Sequence, residues 1–262
     1  MKYWHCLLLL TFLACKDQQP PVDNTDTVAV DTTQHTTVER IPRKEISWSG
    51  TLHGNIPVFL HYQQDTTLLI GEIIYLNTKD KLPNKLIGTM EDDSSYRLLE
   101  FEPSGNITGI ITGTPTSKTF NGTWFSPKTR KELTLHLSKK DTSMIPAPLF
   151  MNFQDIFGHY HYQYSEAGYQ GDFTITQLRD DQAVIGITAV TGEPARNLAQ
   201  INEDTVKLLI DTDFNYKKPG TDNCEFRVKF YPGFVYVKYT KGFCEGQFGH
   251  NATVEGIYLK TK

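Results

Sequence analysis

His159-Tyr160-His161 sets two imidazoles two residues apart, and on an extended strand that spacing points both rings to one face. A metal ion held there needs a third ligand from a neighbouring strand, and His250 or His136 is the histidine to supply it. The plainer reading, two half-buried histidines on an edge strand, is preferred. Paired acids at Asp92-Asp93 and Asp180-Asp181 fall in turn-like stretches, where aspartate accepts backbone N–H groups of its own turn. Adjacent carboxylates in one turn are not the opposed pair that glycosidic cleavage needs. Gly-x-Ser-x-Gly, a P-loop, His-Glu-x-x-His and the Rossmann glycines do not occur. With no convergent acid, base and nucleophile, the sequence predicts a protein that is not an enzyme and takes no cofactor.

The aromatic residues, 12% of the chain, are more informative. Tyr160, Tyr162 and Tyr164 share one face of a predicted strand, and Phe234 and Tyr236 lie opposite Val235 and Val237, which are read as core. Aromatics on the face away from a core make a contact surface, and a glycan or a protein is the ligand expected there. Strands also favour Tyr and Phe for packing alone, so partial cover of both faces is the competing account.

The elements that position these residues are short and extended. From Ile46 onward, apolar alternation is broken every 8 to 12 residues or so by Gly, Pro, Asn and Asp, the grammar of an antiparallel barrel or sandwich. Examples are His53-Gly54-Asn55, Pro103-Ser104-Gly105-Asn106 and Asn121-Gly122. Residues 45–140 hold eight candidate strands, from Ile46–His53 to Glu132–Leu137. Asp141 to Pro148 carries two prolines and reads as a joint, so 141–149 is taken as a linker. A second series fills 150–262, with Ala195–Ile201 and Thr205–Ile210 as separate strands and a hairpin about Pro232-Gly233. In that hairpin Phe226, Val228 and Phe230 fall on one face, and Glu225, Arg227 and Lys229 on the other. The expected fold is all-β: two tandem small antiparallel barrels of about eight strands each, lipocalin-like, after an unstructured leader. Both series place Gly-x-aromatic on a late strand, Gly122-Thr123-Trp124 and Gly256-Ile257-Tyr258.

Charge narrows the partners. The 262 residues carry 26 Lys+Arg against 30 Asp+Glu, a net charge of −4, which argues against a nucleic-acid surface. Of four cysteines, Cys224 and Cys244 lie in the second series, and folding the hairpin brings them within reach of each other. In an exported chain such a pair oxidises, and closing a loop of about 20 residues is worth roughly 3 kcal/mol.

Export itself is indicated at the start of the chain. Met1-Lys2, the apolar Leu7 to Leu13, then Ala14-Cys15 and the polar Lys16-Asp17 have the layout of a secretory signal. The run Phe12-Leu13-Ala14-Cys15 resembles the lipobox of bacterial lipoproteins, departing from it where Phe12 replaces the usual Leu. The resemblance implies removal of 1–14, acylation of Cys15 and attachment to a membrane by several acyl chains, which together anchor firmly. Lys16-Asp17 resembles the export tag of Bacteroidetes surface lipoproteins, which implies the outer membrane of the cell envelope, on its periplasmic or cell-surface face. Residues 16–44 contain no aromatic side chain and cannot bury enough apolar area to offset the entropy of ordering. They read, with Cys15, as a lipidated tether over 15–44. Asp26-Thr27-Val28 and Asp31-Thr32-Thr33 within it resemble the O-glycosylation sites of exported Bacteroidetes proteins.

Residues 157–262 resemble domains from the neighbourhood of the bacterial lysozyme inhibitors. The likeness rests on the strand Cys224-x-Phe226-x-Val228-x-Phe230, the second cysteine Cys244 and the closing Gly256-Ile257-Tyr258. The Ser-Gly-x-x-Tyr loop of the membrane-bound inhibitors is not present, so no inhibitory residue carries over. The function expected is a lipid-anchored outer-membrane binding or interaction module. An inhibitor of lysozyme or another wall hydrolase is the first alternative, and a metal-assisted hydrolase about His159 and His161 the second.

Overall fold

The strands close on themselves twice. The computed structural model describes residues 43–140, 143–145, 151–208 and 212–261. The signal segment, Cys15, the tether up to residue 42 and part of the 141–149 joint lie outside the described residues.

The first barrel is built from β1 (Arg43–Leu52), β2 (Ile56–Asp65), β3 (Leu68–Tyr75), β4 (Pro83–Met90), β5 (Tyr96–Phe101), β6 (Ile107–Pro115), β7 (Thr119–Phe125) and β8 (Glu132–Lys139). Each pairs antiparallel with the next, and β1 also pairs β8, with Ser49 opposite Ser138 and Leu52 opposite Leu135, so the barrel has no open edge. β9 (Ser143–Ile145) lies in the stretch read as a joint, and its backbone pairs with the start of β1. Alternation does the sorting of side chains. Trp48, Leu60, Tyr62, Leu69, Leu86, Tyr96, Leu98 and Phe120 fill the interior.

β10 (Gly158–Gln163), β11 (Gln170–Arg179), β12 (Gln182–Val190), β13 (Leu198–Lys207), β14 (Asp213–Lys217), β15 (Glu225–Tyr231), β16 (Phe234–Lys241) and β17 (Gly256–Lys260) make the second barrel. Its sheet order is β13-β12-β11-β10-β17-β16-β15-β14. The seam between β13 and β14 is spanned by a side-chain bond, Tyr216 Oη donating to Asp204 Oδ2 at 2.8 Å. This barrel is nearly closed. Tyr160, Phe173, Ile185, Phe226, Val228 and Tyr258 are among its buried residues.

Two details differ from the sequence reading. Ala195–Ile201 and Thr205–Ile210 were expected as separate strands, yet β13 runs continuously through Asn202-Glu203-Asp204. The ladder passes from Ile187 opposite Ile201 to Ile185 opposite Asp204, so an extra residue bulges out and the polar triplet need not end the strand. Asp213–Lys217 was not expected as a strand, although its alternation buries Phe214 and Tyr216 around exposed Asn215.

The two barrels fall within one compact unit. β5 shows why: Leu98 joins the interior of the first barrel, while Leu99 and Phe101 join the buried cluster of the second. Leu68, Ile87 and Ile107 turn outward with them. Ile107 does so through a bulge, because Glu100 pairs with Gly109 and Phe101 with Ile107, leaving Thr108 as the extra residue. Such an extra residue moves the side chains beyond it to the other face. Against this patch lie Phe234, Ile257 and Leu259 of the second barrel.

Candidate functional site

Both barrel interiors are filled with side chains, so binding space must be sought on the outside. A cleft of about 570 Å³ opens beside the apolar seam between the barrels. The first barrel lines it with Thr67, Thr89, Met90, Glu91, Asp92 and Arg97; the second contributes Tyr162, Tyr164, Tyr169, Tyr236, Lys238 and Glu255. A smaller cleft of about 320 Å³ shares Thr67, Tyr236 and Lys238 with it and continues past Asp65, Lys229 and Tyr231.

Arg97 Nη2 donates to Tyr164 Oη across the two barrels at 3.2 Å, which fixes one rim. Tyr162 and Tyr164 meet edge to face at 5.9 Å between centroids, Tyr162 closing the floor and Tyr164 standing at the mouth. Tyr169 is exposed. Burial pushes the Tyr236 hydroxyl up to about 12, and the carboxylates of Glu255 and Glu91 add to that shift. The Glu255 carboxyl is itself held above the usual range, first by burial, against a backbone N–H from Tyr239 that favours the charged form, with Glu91 adding repulsion. Two carboxylates, one from each barrel, therefore face a common polar space.

The five aromatics expected to form one exposed contact surface divide between different environments. Tyr160 is a core residue whose hydroxyl donates to the Ile156 carbonyl at 2.6 Å. Tyr162 is also almost fully buried and stacks edge-on against Tyr258. Phe234 does lie on the face away from Val235 and Val237, but that face is covered by the first barrel, and Lys85 Nζ sits 5.9 Å over its ring. The burial of Tyr160 and Phe234 corrects their reading as ligand-contacting residues, since neither reaches solvent. Tyr162, Tyr164 and Tyr236 come together in the cleft. Arg97, Glu91, Lys238 and Glu255 were not singled out from the sequence; the signal was β5, whose run Leu98-Leu99 with Phe101 offers apolar side chains to both faces.

The two histidines do share a face. Asp172, paired in register with His161 on β11, accepts on one oxygen, Oδ1, from His161 Nδ1 at 2.8 Å and from His159 Nε2 at 2.9 Å. His159 Nδ1 also meets Thr261 Oγ1 at 2.9 Å. The ligands expected to complete a metal set lie elsewhere: His136 Nδ1 meets Asn121 Oδ1, and the loop at His250 is held by Asn197. Among the described residues no group of three or more His, Cys, Asp or Glu side chains is arranged to hold a metal ion. Asp93 Oδ1 accepts from the Ser95 N–H at 2.9 Å, the turn role read for it from the sequence.

The Cys224–Cys244 disulfide is formed. It ties the start of β15 to a tight turn in which Gly242, Phe243 and Cys244 all have φ between 51° and 70°. Phe243 is left 77% exposed at its tip.

No protein-family model, curated protein or solved structure matches this chain.

Proposed function

We propose that the chain is a non-enzymatic binding module of the bacterial cell envelope, held at the outer membrane by acyl chains on Cys15, and that it takes its ligand in the cleft between the barrels. The single observation that carries the binding role is this cleft. It is a concavity of about 570 Å³, it is walled by tyrosines and charged groups from both barrels, and both barrels present it from rigid sheets. The anchor rests on Phe12-Leu13-Ala14-Cys15 and the polar stretch behind it.

The site is tested by titrating the isotope-labelled full mature chain with fractionated extract of bacterial envelopes. Resonances of Thr89, Tyr164 and Glu255 are expected to move while those around His250 stay fixed. Shifts elsewhere with an unmoved cleft sink the assignment. Growth in labelled palmitate tests the anchor: label on the wild type and none on Cys15→Ser is expected.

A second reading, an inhibitor of a wall hydrolase, is favoured by Phe243. An aromatic side chain presented on a disulfide-braced turn is the form an anchor takes when it enters a partner's pocket. Mixing the full chain with a panel of lysozymes separates the readings. Loss of enzyme activity that Phe243→Ala restores supports inhibition, and unchanged activity across the panel removes it.

A further inference from the structure

We infer that the cleft recognises carbohydrate, and that it takes an extended saccharide chain rather than a single ring; this rests on the cleft being the binding site. Three features lead there. First, much of the strand backbone bordering the cleft is already paired on both sides: β4 with β3 and β5, β5 with β4 and β6, and β16 with β15 and β17, while β17 pairs β16 from Gly256 to Leu259 and meets β10 at Leu259 and Lys260. The walls therefore offer a peptide little edge along which to add as a strand. Recognition falls mainly to side chains.

Second, those side chains combine flat aromatic faces with groups that bond hydroxyls. Tyr164 and Tyr169 stand at the mouth and Tyr236 on the wall, each presenting a ring on which the C–H face of a pyranose can lie. Glu91 and Glu255 accept hydroxyl protons, and Arg97 and Lys238 donate to ring and hydroxyl oxygens. With Asp92 the larger cleft carries no excess of basic groups, and Asp65, Arg227 and Lys229 of the smaller one bring acids and bases level, which disfavours a polyphosphate chain.

Third, the space is elongated. Tyr236, Thr67 and Lys238 border both the larger and the smaller cleft, so the two form one groove with Tyr236 at its waist. The far part is lined by Lys229, Tyr231 and Asp65, again polar groups about an aromatic ring. A ligand that fills both parts is longer than one sugar.

The test uses the full mature chain and the mono- to tetrasaccharides of maltose, cellulose and N-acetylated chitin, followed by calorimetry and by resonance shifts. At least one series is expected to bind, with affinity rising by about tenfold or more between the single sugar and the tetrasaccharide. Tyr169→Ala, at an exposed position, is expected to weaken the tetrasaccharide several-fold with thermal unfolding unchanged. Tyr236→Ala is expected to flatten the dependence on length. If envelope extract shifts the cleft resonances but no saccharide does, or if trilysine binds there instead, carbohydrate recognition is overturned while the cleft remains a site. Saccharide binding unaffected by both variants overturns the placement. Silence of the cleft toward extract and saccharides alike overturns both.

Discussion

Lys229 Nζ of the second barrel donates to Asp65 Oδ2 of the first at 3.2 Å, and Tyr231 Oη reaches the same oxygen at 3.1 Å. Burial pushes the Lys229 ammonium down, but Tyr231 and Asp65 outweigh it and the net shift is upward. The contribution is thus present below the ordinary value of 10.5 and is lost as pH rises through the folded value. Beside it Lys85 Nζ donates to the Pro232 carbonyl at 3.1 Å. These contacts link the two barrels beside the apolar seam.

Asp65→Asn keeps the shape of the side chain and removes its charge. Urea unfolding at neutral pH is expected to show a loss of about 1 kcal/mol, the scale of a charged hydrogen bond at a half-exposed site. A double-mutant cycle with Lys229→Met is expected to return most of that loss as coupling. Strict additivity would show that Asp65 and Lys229 do not link the barrels.

Gly109 is fixed by its neighbours. A Cβ there would lie 2.1 Å from Trp124 Nε1 and 2.6 Å from Glu100 Oε2, displacing the Trp124–Glu100 hydrogen bond of 2.8 Å. Glu100 is 1% exposed and also accepts from Tyr75 and Asn84, so a lost donor leaves a buried carboxylate short of partners. Gly109→Ala is expected to cost roughly 2 kcal/mol or more, with altered tryptophan fluorescence. Gly256→Ala meets nothing closer than 3.6 Å and is expected to be tolerated. Equal effects at the two sites would contradict the packing described.

His161 and Asp172 predict a pH window. The hydrogen bond to Asp172 raises the His161 imidazole above 6.5 despite burial, and the same bond lowers the Asp172 carboxyl below 3.8. The histidine's share of stability is full below 6.5 and is lost as pH rises through its folded value. The aspartate's share is present above 3.8 and is lost as pH falls through its folded value. The pair therefore contributes most between 3.8 and 6.5. Titrating the imidazole by magnetic resonance is expected to give a raised value in the wild type that falls toward 6.5 in Asp172→Asn. An unchanged titration in that variant refutes the pairing.

Replacing both Cys224 and Cys244 by serine opens a link spanning 20 residues of sequence. The expected loss is about 3 kcal/mol in thermal or urea unfolding. The turn carrying Phe243 should also exchange its amide protons faster, since its left-handed backbone is no longer braced.

Strict alternation made most of the fold legible. Phe226, Val228 and Phe230 against Arg227 and Lys229 could be assigned to faces without coordinates, and the cysteines followed from the hairpin. What could not be read were events that alternation cannot encode. A bulge at Thr108 turns Ile107 outward, and another at Asn202-Glu203 carries β13 across a polar triplet. Phe234 was rightly placed away from the core of its own barrel, but which surface covers such a face depends on residues about 135 positions earlier, at Leu99 and Phe101. The cleft inherits this difficulty, because Arg97 and Glu255 come to line one space only once the barrels pack.

The sheet strand from Tyr96 to Phe101 is wrapped on its inner and outer sides at once. Either half of the molecule expressed alone would bare an oily patch and invite precipitation, so the halves are not interchangeable parts that recombination could move separately. Change at the contact has to arrive in matched pairs, and the groove it frames is inherited as a single unit.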